Sequence, residues 1–198
     1  MIWSTYLHGT DRDDIYEVHV DTNGFVYAVG WTQSSNFPTT AGAYDRTHNG
    51  DMDVFITKLE PDGSSLVYST FFGGSPDNGY EPSGLSIDLQ GNVSLSGSIF
   101  GNIANHPTTS DAFQRTSGGQ NEAFFAVLSP ELSKLRYSSH FGGSGHDRIR
   151  DLVHSSSGEL VFGGDTYSKN LPVIDLTFQT NYRGAGDAYI ARSKAAHW

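Results

Sequence analysis

Three stretches of this chain read alike: "WSTYLHGT" from Trp3, "YSTFFGGS" from Tyr68 and "YSSHFGGS" from Tyr137. They begin 65 and 69 residues apart, and the likeness continues through the interval that follows each of them. A period of this length ties the chain to a repeat architecture, in which each unit covers a face that its neighbour cannot bury alone.

Within each period the same landmarks recur in order. A short strand ends in a polar turn at Gly24, Gly91 and Gly158, where glycine can take positive φ, and the natural reading is a hairpin. A second strand follows in "FVYAVGW", "NVSLSGS" and "ELVFGGD", aligned on Gly30, Gly97 and Gly163. In its first copy both faces are apolar or small, as a strand sandwiched between sheets requires. A long connection then carries Pro38, Pro107 and Pro172, and proline, lacking a backbone donor, keeps this segment out of a central strand. Tyr44, Phe113 and Phe178 recur on the same connection and are expected to pack in each repeat's core. A third strand reads "DVFITKL", "EAFFAVL" and "DAYIARS", and two of the copies turn from it into the next opening strand. The period is a four-stranded antiparallel meander, and radial copies of such a meander are propeller blades.

Composition agrees with an all-β fold of tight turns. There are 23 glycines, and only 17% of residues are charged. The net charge of −10 repels phosphate backbones and anionic head groups, so neither nucleic acid nor a membrane surface is an expected partner. No cysteine is present, which removes disulfides and thiolate metal sites. "MIWSTYLHGT" has neither the basic nor the apolar region of an export signal.

The run "YSTFFGGSPDNGYEPSGLSIDLQGNVSLSGS" and the combination "DTNGFVYAVGWTQSSNFPTTAGAYD" with "GDMDVFITKLEPDGSSLVYST" resemble the SBBP family of beta-propeller repeats, nearly end to end. The resemblance implies a bacterial extracellular or cell-surface setting and brings no set of catalytic residues. The chain departs from a uniform repeat at Ser94 and Ser96, where the first copy has Tyr27 and Val29, which is expected to loosen one blade face. It departs again at Asp151, where the other copies have Val18 and Leu85, which is expected to charge an innermost strand.

Candidate chemistry gathers on the loops. Acids precede or follow the strands at Asp11, Asp13, Asp14, Asp51, Asp53, Asp77, Glu81, Glu122, Asp147 and Asp187. Of these, Asp51, Asp53, Asp77, Asp147 and Asp187 are weak candidates for calcium. No complete calcium-loop pattern is present, so turn capping is the preferred reading and no cofactor is expected. The eight histidines form no zinc-type spacing, and "HDR" at 146–148 does not establish the convergent geometry of an acid–base site. Trp31, Asn36, Tyr167, Asn170 and Tyr182 are the candidate ligand contacts, since sugar sites set flat rings beside amides. The expected function is a non-catalytic binding or scaffolding module, with carbohydrate as the leading ligand class. A glycan-processing hydrolase or lyase and a purely structural repeat remain alternatives.

Residues 1–198 are taken as one domain with repeats at about 3–67, 68–136 and 137–198. The strand tally is twelve, or three blades of four, if residues 3–7 complete the last blade. Propellers have about 4 to 8 blades, so this latch is expected between chains, residues 3–7 of one pairing with 188–193 of another in a homodimeric ring of six.

Overall fold

The computed structural model describes residues 1–74, 78–101, 105–119, 121–174 and 177–193. Eleven strands among these residues form three antiparallel sheets. The first sheet runs in the order β1 (Asp13–Val20), β2 (Val26–Thr32), β3 (Asp53–Leu59), β4 (Leu66–Phe72). The second runs β5 (Asn78–Ile87), β6 (Val93–Gly101), β7 (Asn121–Leu128), β8 (Leu135–Phe141), and the third contains β9 (Asp147–His154), β10 (Leu160–Thr166) and β11 (Asp187–Ser193). The fold is therefore all-β, with three sheets of the meander order expected of propeller blades.

Turn chemistry sets the hairpins. Gly24, Gly91 and Gly158 have φ of 87°, 83° and 80°. In the first two turns an aspartate closes the loop: Asp21 Oδ1 accepts from the amides of Asn23 and Phe25, and Asp88 Oδ1 from those of Gln90 and Asn92. In the third, Ser155 Oγ accepts from the Glu159 amide.

The sheets stack through aromatic seams. β5 packs on β1, β2 and β3, and β9 packs on β5, β6 and β7, so the first strands of the second and third sheets lie against the sheet before them. Phe72 at the end of β4 stacks on Phe124 of β7, with centroids 5.8 Å apart. Phe141 at the end of β8 meets Tyr189 of β11 at 5.3 Å. Burying each such ring contributes roughly 1.5–3 kcal/mol. Ser94 and Ser96 are buried in the second seam, where Ser94 Oγ lies 3.3 Å from His154 Nε2. The short side chains admit β9 closely instead of loosening that face.

The long connections fold back over the outer edges of β4 and β8. Thr40 N donates to Ser69 O and Phe71 N to Asp45 O in the first sheet; Thr109 N donates to Ser138 O and His140 N to Gln114 O in the second. An outer edge covered in this way is not open to pairing with another chain.

Three expectations are corrected. The third-sheet counterpart of Gly30 and Gly97 is Gly164, not Gly163. The first two crowd the carbonyls of Asp14 and Glu81, and Gly164 crowds that of Arg148, whereas the register breaks between Gly163 and Gly164. The inner-strand position of Val18 and Leu85 accordingly belongs to the buried Leu152, and Asp151 points to solvent, so no charge enters the seam. Phe113 and Phe178 are 62% and 98% exposed instead of packing in the core: Phe113 touches Phe141 from the surface, and the third sheet has no fourth strand among the described residues to receive Phe178. Residues 3–7 belong to no sheet. They lie along the first sheet, where Trp3 Nε1 donates to Pro61 O at 3.1 Å and Leu7 packs on Phe37, Phe55 and Phe71.

Candidate functional site

The loops leading into β1 and β9 are built on one plan. Asp13 accepts from Thr32 Oγ1, from Ser34 Oγ at 3.1 Å and from Gly9 N at 2.8 Å. Asp147 accepts from Thr166 Oγ1, from Ser168 Oγ at 2.6 Å and from Gly143 N at 2.8 Å. The same serines accept amides of the incoming loop, Asp11 N on Ser34 and Gly145 N on Ser168. An asparagine finishes each plan. Asn36 Oδ1 accepts from Thr10 N and Oγ1, and Asn170 Oδ1 from Ser144 N and Oγ, all between 2.9 and 3.0 Å. This aspartate–hydroxyl network is the part that sequence reading missed. Its signal is the pattern T-x-S-x-N at 32–36 and 166–170, each with an aspartate 19 residues before the threonine. The second sheet has Tyr80 and Ile99 at the aspartate and threonine positions, and there Tyr80 Oη lies 3.3 Å from His106 Nδ1.

The acids before the third strands cap the long connections. Asp53 is buried and takes the Asn49 amide at 2.7 Å; burial pushes its carboxyl up to about 6, although that amide opposes the shift. Glu122 is buried too. It takes Ser117 Oγ and the amides of Gly118 and Gly119 on one oxygen and Gln114 Nε2 on the other. Burial raises its carboxyl, these bonds lower it, and the nearby Asp147 raises it further. Asp187 accepts Arg183 N at 2.6 Å, Asp51 is exposed, and Asp77 lies outside the described residues. Among the described residues no group of three or more His, Asp or Glu side chains gathers to hold a metal ion.

The "HDR" tripeptide is divided among three tasks: His146 meets Tyr167 edge-on, Asp147 holds its loop, and Arg148 lies over Phe100 with 5.7 Å to the ring centroid. The candidate ligand contacts fall into two sets on different sheets. On the third, Tyr167 is 52% exposed, and Gly186 lies against its ring while donating its amide to Tyr182 Oη at 3.1 Å. Asn170 follows on the same loop. On the first sheet Trp31 is 7% exposed with the Arg12 guanidinium 5.0 Å above its ring, and Asn36 closes the adjoining loop.

The SBBP beta-propeller repeat model matches residues 2–38. That stretch runs from the segment lying on the first sheet through β1 and β2 to the T-x-S-x-N loop, and the match agrees with the resemblance read from the three repeats. No curated protein matches the chain.

Proposed function

We propose that the chain is a non-catalytic propeller module that binds carbohydrate on its loop face, acting without a cofactor in an extracellular or cell-surface protein. The observation that carries this reading is how the acids of that face are used. Cleaving a glycosidic bond takes two carboxyls open to one substrate, held about 5–10 Å apart. The neighbouring pair Glu122 and Asp147 is buried, and its oxygens accept from loop amides, hydroxyls and the Gln114 amide. These carboxylates hold loops in place and face no substrate.

The face instead offers solvent a half-exposed tyrosine ring at Tyr167, with Tyr182 beyond Gly186 and Asn170 three residues along. A flat ring beside amides suits the apolar face and hydroxyl rim of a pyranose. On the first sheet Trp31 is buried beneath the Arg12 guanidinium, which corrects its expected role as a ligand contact, and only Asn36 of that pair is exposed. The extracellular setting rests on the likeness to SBBP repeats. Binding to a panel of immobilised glycans tests the proposal. Tyr167→Ala should weaken a glycan found on the panel by roughly tenfold or more at an unchanged melting temperature. A chain that binds no glycan on the panel, or a variant that binds equally well, overturns it.

A further inference from the structure

We infer that the outer edge of β11, together with Phe178 beside it, is the docking site for residues 3–7 of a second copy of this chain, so that two copies close reciprocally. The inference is independent of any ligand. Its basis is that residues 3–7 already sit as the outer strand of a preceding sheet would. Leu7 packs against the cluster of Phe37, Phe55 and Phe71, in which Phe55 holds the third position of β3. Phe72 stacks on Phe124 at the equivalent position of β7, and Phe141 on Tyr189 at that of β11. The hydroxyl geometry repeats as well: Thr5 Oγ1 donates to Tyr6 O, as Thr70 Oγ1 does to Phe71 O and Ser139 Oγ to His140 O. The segment has the seat and local conformation of an outer strand, and Tyr6 in the middle of it is 91% exposed.

The complementary half is on the third sheet. In the first two sheets Tyr44 and Phe113 set their rings against Phe72 and Phe141, the last residues of the fourth strands, which leaves Phe113 62% exposed, whereas Phe178 is 98% exposed. On β11, Ile190 is 85% exposed. The two complete sheets give the register. Val54 pairs with Phe72 and Ile56 with Thr70; Ala123 pairs with Phe141 and Phe125 with Ser139. Transferred to β11, Ala188 meets Leu7, Ile190 meets Thr5 and Arg192 meets Trp3 of the second copy. Leu7 then covers Phe178 as Phe72 covers Tyr44. The covering bonds transfer too, with Ile174 N donating to Ser4 O and Tyr6 N to Gln179 O, as at Thr40 with Ser69 and Phe71 with Asp45. Leu89 and Phe113 of the second sheet apart, further bare apolar surface lies on the same two ends. β1 exposes Ile15, Tyr16, Val18 and Val20 on the first sheet, and Val153 is exposed on the third. Internally, β5 and β9 each lie on the sheet before them. A second copy gives β1 the same seat, and six blades fall within the range of closed propellers, roughly 4 to 8.

Since the chain has no cysteine, the register can be tested by a single engineered disulfide. Residues directly opposite on antiparallel strands lie about 4.5–5.5 Å apart, within disulfide reach. Thr5→Cys combined with Ile190→Cys should oxidise to one covalent dimer on a non-reducing gel. Light scattering on the unmodified chain should give twice 21.5 kDa. Ile190→Lys changes a side chain exposed in the single subunit, so it should weaken dimerisation by roughly tenfold or more with the circular dichroism spectrum retained. A folded subunit of single mass, an internally bridged monomer, an open ladder of cross-linked species, or a dimer indifferent to Ile190→Lys overturns the inference.

Discussion

Glu122 and Asp147 both bring a carboxylate oxygen into the space that a side chain at Gly142 would need, at the seam between the second and third sheets. A Cβ on Gly142 would stand 2.6 Å from Glu122 Oε1 and 2.7 Å from Asp147 Oδ2. Both acids are buried and bonded to loop donors, so neither can swing aside without leaving those donors unpaired. Gly142→Ala should therefore destabilise the chain by about 2–3 kcal/mol. For a chain of this size that is a fall of roughly 4–12 °C in melting temperature, measurable by circular dichroism. A shift below about 2 °C, the lower end of what 1 kcal/mol produces, would mean that the seam has more room than its geometry indicates.

The register break between β9 and β10, where Arg150 of β9 is the extra residue, falls between two adjacent glycines of β10. A side chain at Gly164 collides with the backbone carbonyl of Arg148, and a backbone atom cannot rotate away. A methyl added at Gly163 would have Tyr189 O as its nearest neighbour, at 3.1 Å, and the next atom at 3.7 Å. Gly164→Ala should cost about 2 kcal/mol or more, and Gly163→Ala under about 1 kcal/mol. Equal costs in chemical denaturation would put the bulge elsewhere.

That pair also marks how far the sequence could be read. Strand order, the turns at Gly24, Gly91 and Gly158 and the exclusion of the proline-bearing connections from the sheets follow from local chemistry, and the chain supplies each landmark three times. The choice between Gly163 and Gly164 is different, because a bulge is set by which partner carbonyl lies across the sheet, and both residues look alike in sequence. The capping role of the acids was legible from residue type, and Asp53, Glu122 and Asp187 all accept loop amides. The hydroxyl network was hidden because its members are 19 and 21 residues apart and the second repeat lacks it. The exposure of Phe178 depends on a neighbour, which no local pattern within its own repeat records.

Asp147 satisfies Gly143 N, Thr166 Oγ1 and Ser168 Oγ together in a buried place. Asp147→Ala leaves three donors unpaired and should cost about 3–5 kcal/mol. Asp13→Ala removes the same contacts from a partly exposed site and should cost less. Urea denaturation of the two variants ranks them, and a larger loss at Asp13 would contradict the ordering by burial.

His106 and His140 face each other in the second sheet, ring centroids 4.8 Å apart, where the first sheet has Phe37 and Phe71. Both are buried, and among the described residues His140 Nδ1 has no hydrogen-bond partner. Burial pushes His140 down to about 4 and His106 well below its ordinary value, with the second imidazole adding to the shift at His106. In the unfolded chain both titrate near 6.5. As pH falls through 6.5 towards 4 the unfolded state takes up protons that the folded state refuses, so the histidines remove stability across that window. Asp53 and Glu122 act in the opposite sense. Their folded carboxyls are raised, Asp53 to about 6, so the folded state binds protons first and gains stability as pH falls. The slope of the unmodified chain therefore mixes both contributions. Comparison with His106→Phe/His140→Phe isolates the histidines, because the acids are common to both proteins. The stability difference between the variant and the unmodified chain should be smallest above about pH 7 and widen in the variant's favour between about pH 6.5 and 4. Chemical denaturation midpoints at several pH values measure it, and parallel curves across that range would show that the two imidazoles titrate alike in the folded and unfolded states.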